Sequence, residues 1–150
     1  AVVKSSPTVY NGSLYVGANN QKLYKIDAAN GTISWDTAAT ISGNLTGTVA
    51  VDEWTEGINS AWIGSEGGSL YRVNTGNGQI QSGFATGGPI KSSPFVDAGY
   101  INGVTNNLFI PSTDGKIYCR SSTNLTSIPA GWTNRGGQED GNFNTGSLIE

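Results

Sequence analysis

The chain has 150 residues, 11 acidic against 8 basic side chains, a net charge of -3 and no histidine. With no basic run there is no surface to track phosphates, so nucleic acid is disfavoured as a partner, and no stretch approaches the 18 consecutive apolar residues of a membrane span. Lack of histidine removes the commonest general base and metal ligand, and a single cysteine, Cys119, rules out an internal disulfide.

The chain opens with Ala1 to Val9, which reads as a strand from its first residues, so no signal peptide is visible in it. Leu14 to Gly17 and Lys22 to Asp27 follow as a hairpin, and Thr32 to Trp35 as a fourth strand. Asn11-Gly12, Asn19-Asn20 and Asn30-Gly31 punctuate these runs, as tight turns between β-branched and aromatic segments require. The unit from Ser5 to Trp35 then recurs. Leu23-Tyr24 returns as Leu70-Tyr71 and Ile117-Tyr118 at a spacing of 47 residues, and Gly17 returns as Gly64 at the same interval. Ser5-Ser6-Pro7-Thr8-Val9 matches Gly47 to Val51, then Ser92 to Val96, then Gly146 to Glu150.

A four-stranded sheet of this length cannot bury both of its faces alone and becomes stable by stacking on its neighbours. The expected fold is therefore all-β: antiparallel four-stranded blades of a β-propeller, three of them plus the first strand of a fourth, in an incomplete ring. Blade one covers about residues 5–35, blade two about 47–83 and blade three about 90–132, with a fourth starting at 146–150. The first strand of each lies innermost. Alternation is blurred because both faces of a blade are covered.

Blade two carries an acidic loop, residues 52–57, where blade one has only Tyr10-Asn11-Gly12, and blade three carries a longer one, residues 99–106, at the same place. Loops inserted at one position emerge on one rim, often the binding rim. This makes Trp54, Glu56, Tyr100 and Ile101 the candidate interaction surface, the competing reading being that the aromatic and aliphatic side chains fold back as local caps. Asp52, Glu53 and Glu56 are acidic enough for a weak cation site, although a solvated loop is the simpler reading. Asp140 to Asn144 alternates oxygen ligands as a calcium loop does, but Thr145 stands where the pattern needs glycine. No metal site, catalytic residue or cofactor-binding residue is assigned.

These residues resemble the pyrroloquinoline-quinone-like, or quinoprotein-like, β-propeller repeat. Blade one carries the pattern as Ser5-Ser6-Pro7, Tyr15-Val16-Gly17, Leu23 to Asp27, Asn30-Gly31 and Trp35. Blade two keeps Ile63-Gly64-Ser65, Leu70 to Asn74 and Thr75-Gly76, with Ser82 at the tryptophan position and Phe84 as its substitute; blade three keeps Ser92-Ser93-Pro94, Asp114-Gly115, Lys116-Ile117-Tyr118 and Trp132. The resemblance implies an outer-strand indole packed between blades, making Trp35 and Trp132, with Tyr24, Tyr71 and Tyr118, the expected structural anchors. Dehydrogenases of this family hold the quinone over a tryptophan floor and an adjacent-cysteine disulfide, with calcium beside it; this chain has no Cys-Cys pair and no inner-strand tryptophan. The expectation is a non-catalytic interaction, adhesion or scaffolding module without a cofactor. The alternative is a piece of a quinoprotein dehydrogenase or electron-transfer complex whose cofactor site lies elsewhere. Partners would be other protein chains or the missing blades of a larger ring, and exposed blade faces favour oligomers. Low charge, abundant Asn and Thr and four Asn-X-Ser/Thr matches lean towards an exported, extracellular or periplasmic protein.

Overall fold

A computed structural model describes residues 2–52, 59–97, 107–122 and 124–126, and the backbone of 142–144. They form three four-stranded antiparallel sheets and, among the described residues, no helix. Blade one contains β1 (Thr8–Tyr10), β2 (Ser13–Gly17), β3 (Leu23–Asp27) and β4 (Ile33–Asp36). Blade two contains β5 (Ala50–Asp52), β6 (Ser60–Gly64), β7 (Ser69–Asn74) and β8 (Ile80–Ala85). Blade three contains β9 (Phe95–Asp97), β10 (Asn107–Pro111), β11 (Lys116–Ser121) and β12 (Asn142–Asn144). Within each sheet the strands pair in sequence order.

Opposite faces of successive strands build the two cores, because side chains alternate along a strand. Tyr15 and Leu23 of blade one meet Ala61, Ile63 and Val73 of blade two, with Ile41, Leu45 and Val49 of the connection between them. Trp62 and Leu70 on the other face of blade two meet Leu108, Ile110 and Tyr118 of blade three, with Ile90 between. The middle sheet is thus covered on both sides, and all five residues of β6 are buried. Its counterpart β2, in a sheet with one neighbour, begins only half-buried at Ser13 and Leu14. First strands of neighbouring sheets touch, β1 with β5 and β5 with β9, and the Thr8 hydroxyl donates to the Val49 carbonyl at 2.6 Å. The first strands therefore lie innermost.

Several boundaries differ from the sequence reading. Val2 and Val3 are not in a strand, and both are more than half exposed. Pro7 has no N–H for a ladder; Ser5 replaces one with its side chain, its Oγ donating to the Gly17 carbonyl at 2.8 Å and accepting from the Gly17 N–H at 3.1 Å. In blade three the fourth strand is Asn142–Asn144, ten residues beyond Trp132, because its backbone is what pairs with Lys116, Ile117 and Tyr118. The sheet thus runs past the expected end at 132, and residues 142–144 are strand rather than part of a calcium loop. Trp132 and the expected fourth-blade start at 146–150 lie outside the described residues.

Candidate functional site

The two ends of the sheets differ in kind. At one end the second-to-third-strand turns meet the connections between blades, and the backbone is stitched across the boundary. The Glu66 N–H donates to the Asn44 carbonyl at 2.9 Å, and the Asn44 amide donates to the Glu66 carboxylate at 3.0 Å. The next boundary has the Thr113 N–H on the Pro89 carbonyl at 2.9 Å and the Ser112 hydroxyl on the Gly88 carbonyl at 3.0 Å. Two tyrosines take part in these bonds. The Tyr71 hydroxyl accepts from the Ser42 N–H at 3.3 Å, and the Tyr118 hydroxyl accepts from the Gly87 N–H at 3.0 Å while donating to Asp114. Burial works against the Asp114 carboxylate, yet bonds from Tyr118, Ser112 and the amides of Lys116 and Gly87 outweigh it and hold its pKa below the usual carboxylate value. The Tyr24 hydroxyl accepts instead from the Asn20 side chain. Lys22 pairs with Asp36 at 2.8 Å, both about one-third exposed.

At the other end the first-to-second-strand loops leave the sheets. Their stems occupy equivalent positions: Tyr10 pairs with Ser13, Asp52 with Ser60, and Asp97 with Asn107. Since the first strands adjoin, the stems of these segments in blades two and three stand on neighbouring inner strands. Their base is firm. The Thr75 N–H and hydroxyl both donate to the Asn59 carbonyl at 3.0 Å, as the Ala28 N–H does to Gly12 in blade one. Ser60 is buried and accepts from Arg72 Nε at 2.8 Å. Asp52 is buried at the end of β5, which removes it from the exposed acidic cluster that the sequence suggested. The candidate rim residues Trp54, Glu56, Tyr100 and Ile101 lie outside the described residues.

Trp35 spans the boundary between blades one and two. Its Nε1 donates to the Thr75 carbonyl at 3.0 Å, and its ring lies against Gly78 and Tyr15. Lys25 Nζ reaches the same Thr75 carbonyl at 3.0 Å. In blade two the register pairs Ser82 with Arg72, so no aromatic stands there; Phe84, paired with Leu70, covers the next boundary, edge-on to Tyr118 at 5.4 Å and under the Arg120 guanidinium at 4.4 Å. A cleft of about 400 Å³ between blades two and three is lined by Arg72, Ser82, Ser122 and Thr126 among others. Its chemistry is that of neutral hydrogen bonding and one guanidinium, with no nucleophile–base pair. No group of three or more potential metal-ligating side chains occurs among the described residues.

Sequence reasoning passed over Trp62, which is fully buried, with Arg72 stacked 5.6 Å over its ring. The signal was present: Trp62 occupies the position of Tyr15, 47 residues on. Cys119 is buried as a free thiol. Burial pushes its pKa from 9.0 up to about 11, the Arg120 charge working the other way. A thiol reagent at pH 8 is expected to leave native Cys119 unlabelled and to modify it fully in denaturant. Because the unfolded thiol ionises first, the Cys119 contribution to stability should be constant below about pH 9 and fall between about 9 and 11; labelling of the native chain at the denatured rate would show that the thiol is not protected by burial.

Three blades, with inner strands adjoining and aromatic side chains bridging the boundaries, fix the architecture when set beside known structures. BamB from Moraxella catarrhalis superposes with a TM-score of 0.65 over 84% of this chain and 34% of that one, at 11% identity. The fold is that of a β-propeller. Sqt1 from Saccharomyces cerevisiae matches this propeller arc with the same TM-score, 0.65, over 80% of the chain and 32% of its own, at 16% identity. Among curated sequences, the outer membrane protein assembly factor BamB of Moranella endobia (strain PCIT) is 26% identical over 110 residues. Those residues are 73% of this chain and 25% of that protein, so the propeller arc spans about a quarter of the curated relative it matches. No protein-family profile matches the sequence.

Proposed function

We propose that this propeller arc belongs to a non-catalytic protein-binding scaffold of the cell envelope, exported to the periplasm, whose binding rim is the one bearing the loops at 53–59 and 98–106. The observation that carries this is the asymmetry of the two ends: one is consumed by backbone bonds between blades, while at the other the two long insertions of the sequence are flanked by hydrogen-bonded stems on adjoining strands. Long loops on a rigid scaffold are where recognition residues concentrate. Trp54, Tyr100 and Ile101 have the aromatic and aliphatic character of interface anchors, and Glu56 adds a charge beside them. The likeness to an outer membrane protein assembly factor supports a partner among envelope proteins rather than a small-molecule substrate.

The test is capture of detergent-solubilised envelope proteins by the immobilised chain and by a Trp54→Ala, Tyr100→Ala, Ile101→Ala variant. Proteins retained by the native chain should be lost by the variant, with an unchanged melting curve. Equal retention would remove the rim from the proposal.

A further inference from the structure

The boundary between blades two and three lacks the plug that closes the boundary before it. In blade one Trp35 pairs with Lys25, and both side chains close on the Thr75 carbonyl of blade two. One repeat later the same pairing joins Ser82 to Arg72, and Ser122 stands 47 residues after Thr75. A hydroxyl side chain thus replaces an indole, and the cleft of about 400 Å³ lies at that place, lined by Arg72, Ser82 and Ser122. Phe84 sits further along β8, opposite Leu70, with its ring edge-on to Tyr118, and is not among the residues lining the cleft.

The charge at this cleft is uncompensated. Arg72 is half-buried, with its Nε on the Ser60 hydroxyl and its guanidinium over the Trp62 ring, contacts that fix the fork. Its Nη2 is buried with no hydrogen-bond partner, and among the described residues no carboxylate pairs with it or lines the cleft. A half-buried cation in that state costs free energy that an anion beside it recovers. Asn124 Oδ1 accepts from the Thr126 N–H at 3.1 Å and hydroxyl at 2.7 Å, which leaves the Asn124 amide hydrogens as donors at the mouth, where Ser82 is exposed as well.

A single positive charge suits a singly charged anion, and the planar guanidinium fork matches a carboxylate. The lining also includes Gln81, Ser82 and Gly83 of β8, the outermost strand of its sheet, which has a strand on one side only among the described residues. Such an edge offers backbone N–H and C=O groups to an extended chain. We propose that this cleft binds an acidic side chain of an extended peptide, with its carboxylate on the Arg72 guanidinium and its backbone beside β8. The site uses no residue of the loops at 53–59 and 98–106 and stands apart from the role given to them.

The experiment titrates the isotope-labelled full chain with acetyl-Thr-Glu-Thr-amide, with its glutamine counterpart and with acetate, reading backbone amide shifts by NMR. The glutamate peptide should shift the amides of Ser82, Gly83, Ser122 and Thr126 to saturation. The glutamine peptide and acetate should each bind at least about tenfold more weakly, as the loss of one hydrogen-bonded charge pair or of the backbone contacts requires. Arg72→Gln should weaken the glutamate peptide by the same factor. Ser82→Trp, which puts an indole where Trp35 stands one repeat earlier, should weaken it as much without lowering the melting temperature, and it decides alone should the Arg72 variant not fold. No saturable shift at these amides, equal affinity for the glutamine peptide, or binding that survives either substitution would overturn the proposal. Equal affinity for acetate would give the cleft to small anions and overturn the peptide.

Discussion

Trp35→Ala is expected to destabilise the chain by about 3 kcal/mol, the lower end of the range for removing a large aromatic side chain from a packed site. The indole is only partly buried, which keeps the loss from being larger, but it joins two blades rather than two strands. Its ring rests so close to Gly78 that a Cβ there would stand 2.8 Å from Cε3, and its far face meets Tyr15 with ring centroids 6.1 Å apart. Trp35→Phe should retain most of the packing and cost about 1 kcal/mol, because the Thr75 carbonyl keeps its bond from Lys25. Urea unfolding followed by circular dichroism measures both. Equal losses for the two variants would mean that the indole N–H, rather than packing, holds the boundary.

Gly43→Ala should cost a similar amount, about 3 kcal/mol, by a different route. Gly43 has φ +85, which an L side chain adopts at a cost of about 1 kcal/mol. A Cβ there would also stand 2.2 Å from the Gly67 N and 2.9 Å from the Glu66 C, backbone atoms of the next blade's turn that cannot rotate away. Gly12→Ala separates the two contributions: φ is +70, but nothing lies within 4 Å of the added carbon, so only the conformational cost of about 1 kcal/mol applies. If the two alanine variants unfold at the same urea concentration, the stitched rim is not tightly packed.

The strands of blades one and two were legible because period and punctuation agreed. Apolar runs repeat at a spacing of 47 residues, and turns such as Asn11-Gly12 fall where the structure has positive φ at both residues, 43 and 70. The fourth strand of blade three was not, because Asn142-Phe143-Asn144 carries no run of β-branched residues and is a strand through backbone pairing to β11. Val2 and Val3 misled in the opposite direction: β-propensity marked a strand where the chain leaves the sheet at Pro7. At the candidate site, comparing copies in the sequence put the insertions of blades two and three at one hairpin position, where the stems are equivalent. It could not show that Asp52 is buried, since an acidic residue beside Glu53 reads as solvated until its strand is placed. Nor could it show that Tyr71 and Tyr118 receive amides from neighbouring connections, a contact made across 29 and 31 residues.

The pairs that close the first hairpin of each blade are the same in kind, while the segments between them contain two, seven and nine residues. Closing a loop of nine rather than two residues costs only about 1 kcal/mol in chain entropy, and the register below it does not shift. Length and composition at that place are therefore decoupled from the folding of the sheets. Peptide segments of foreign sequence should therefore graft at that hairpin position without repacking either core.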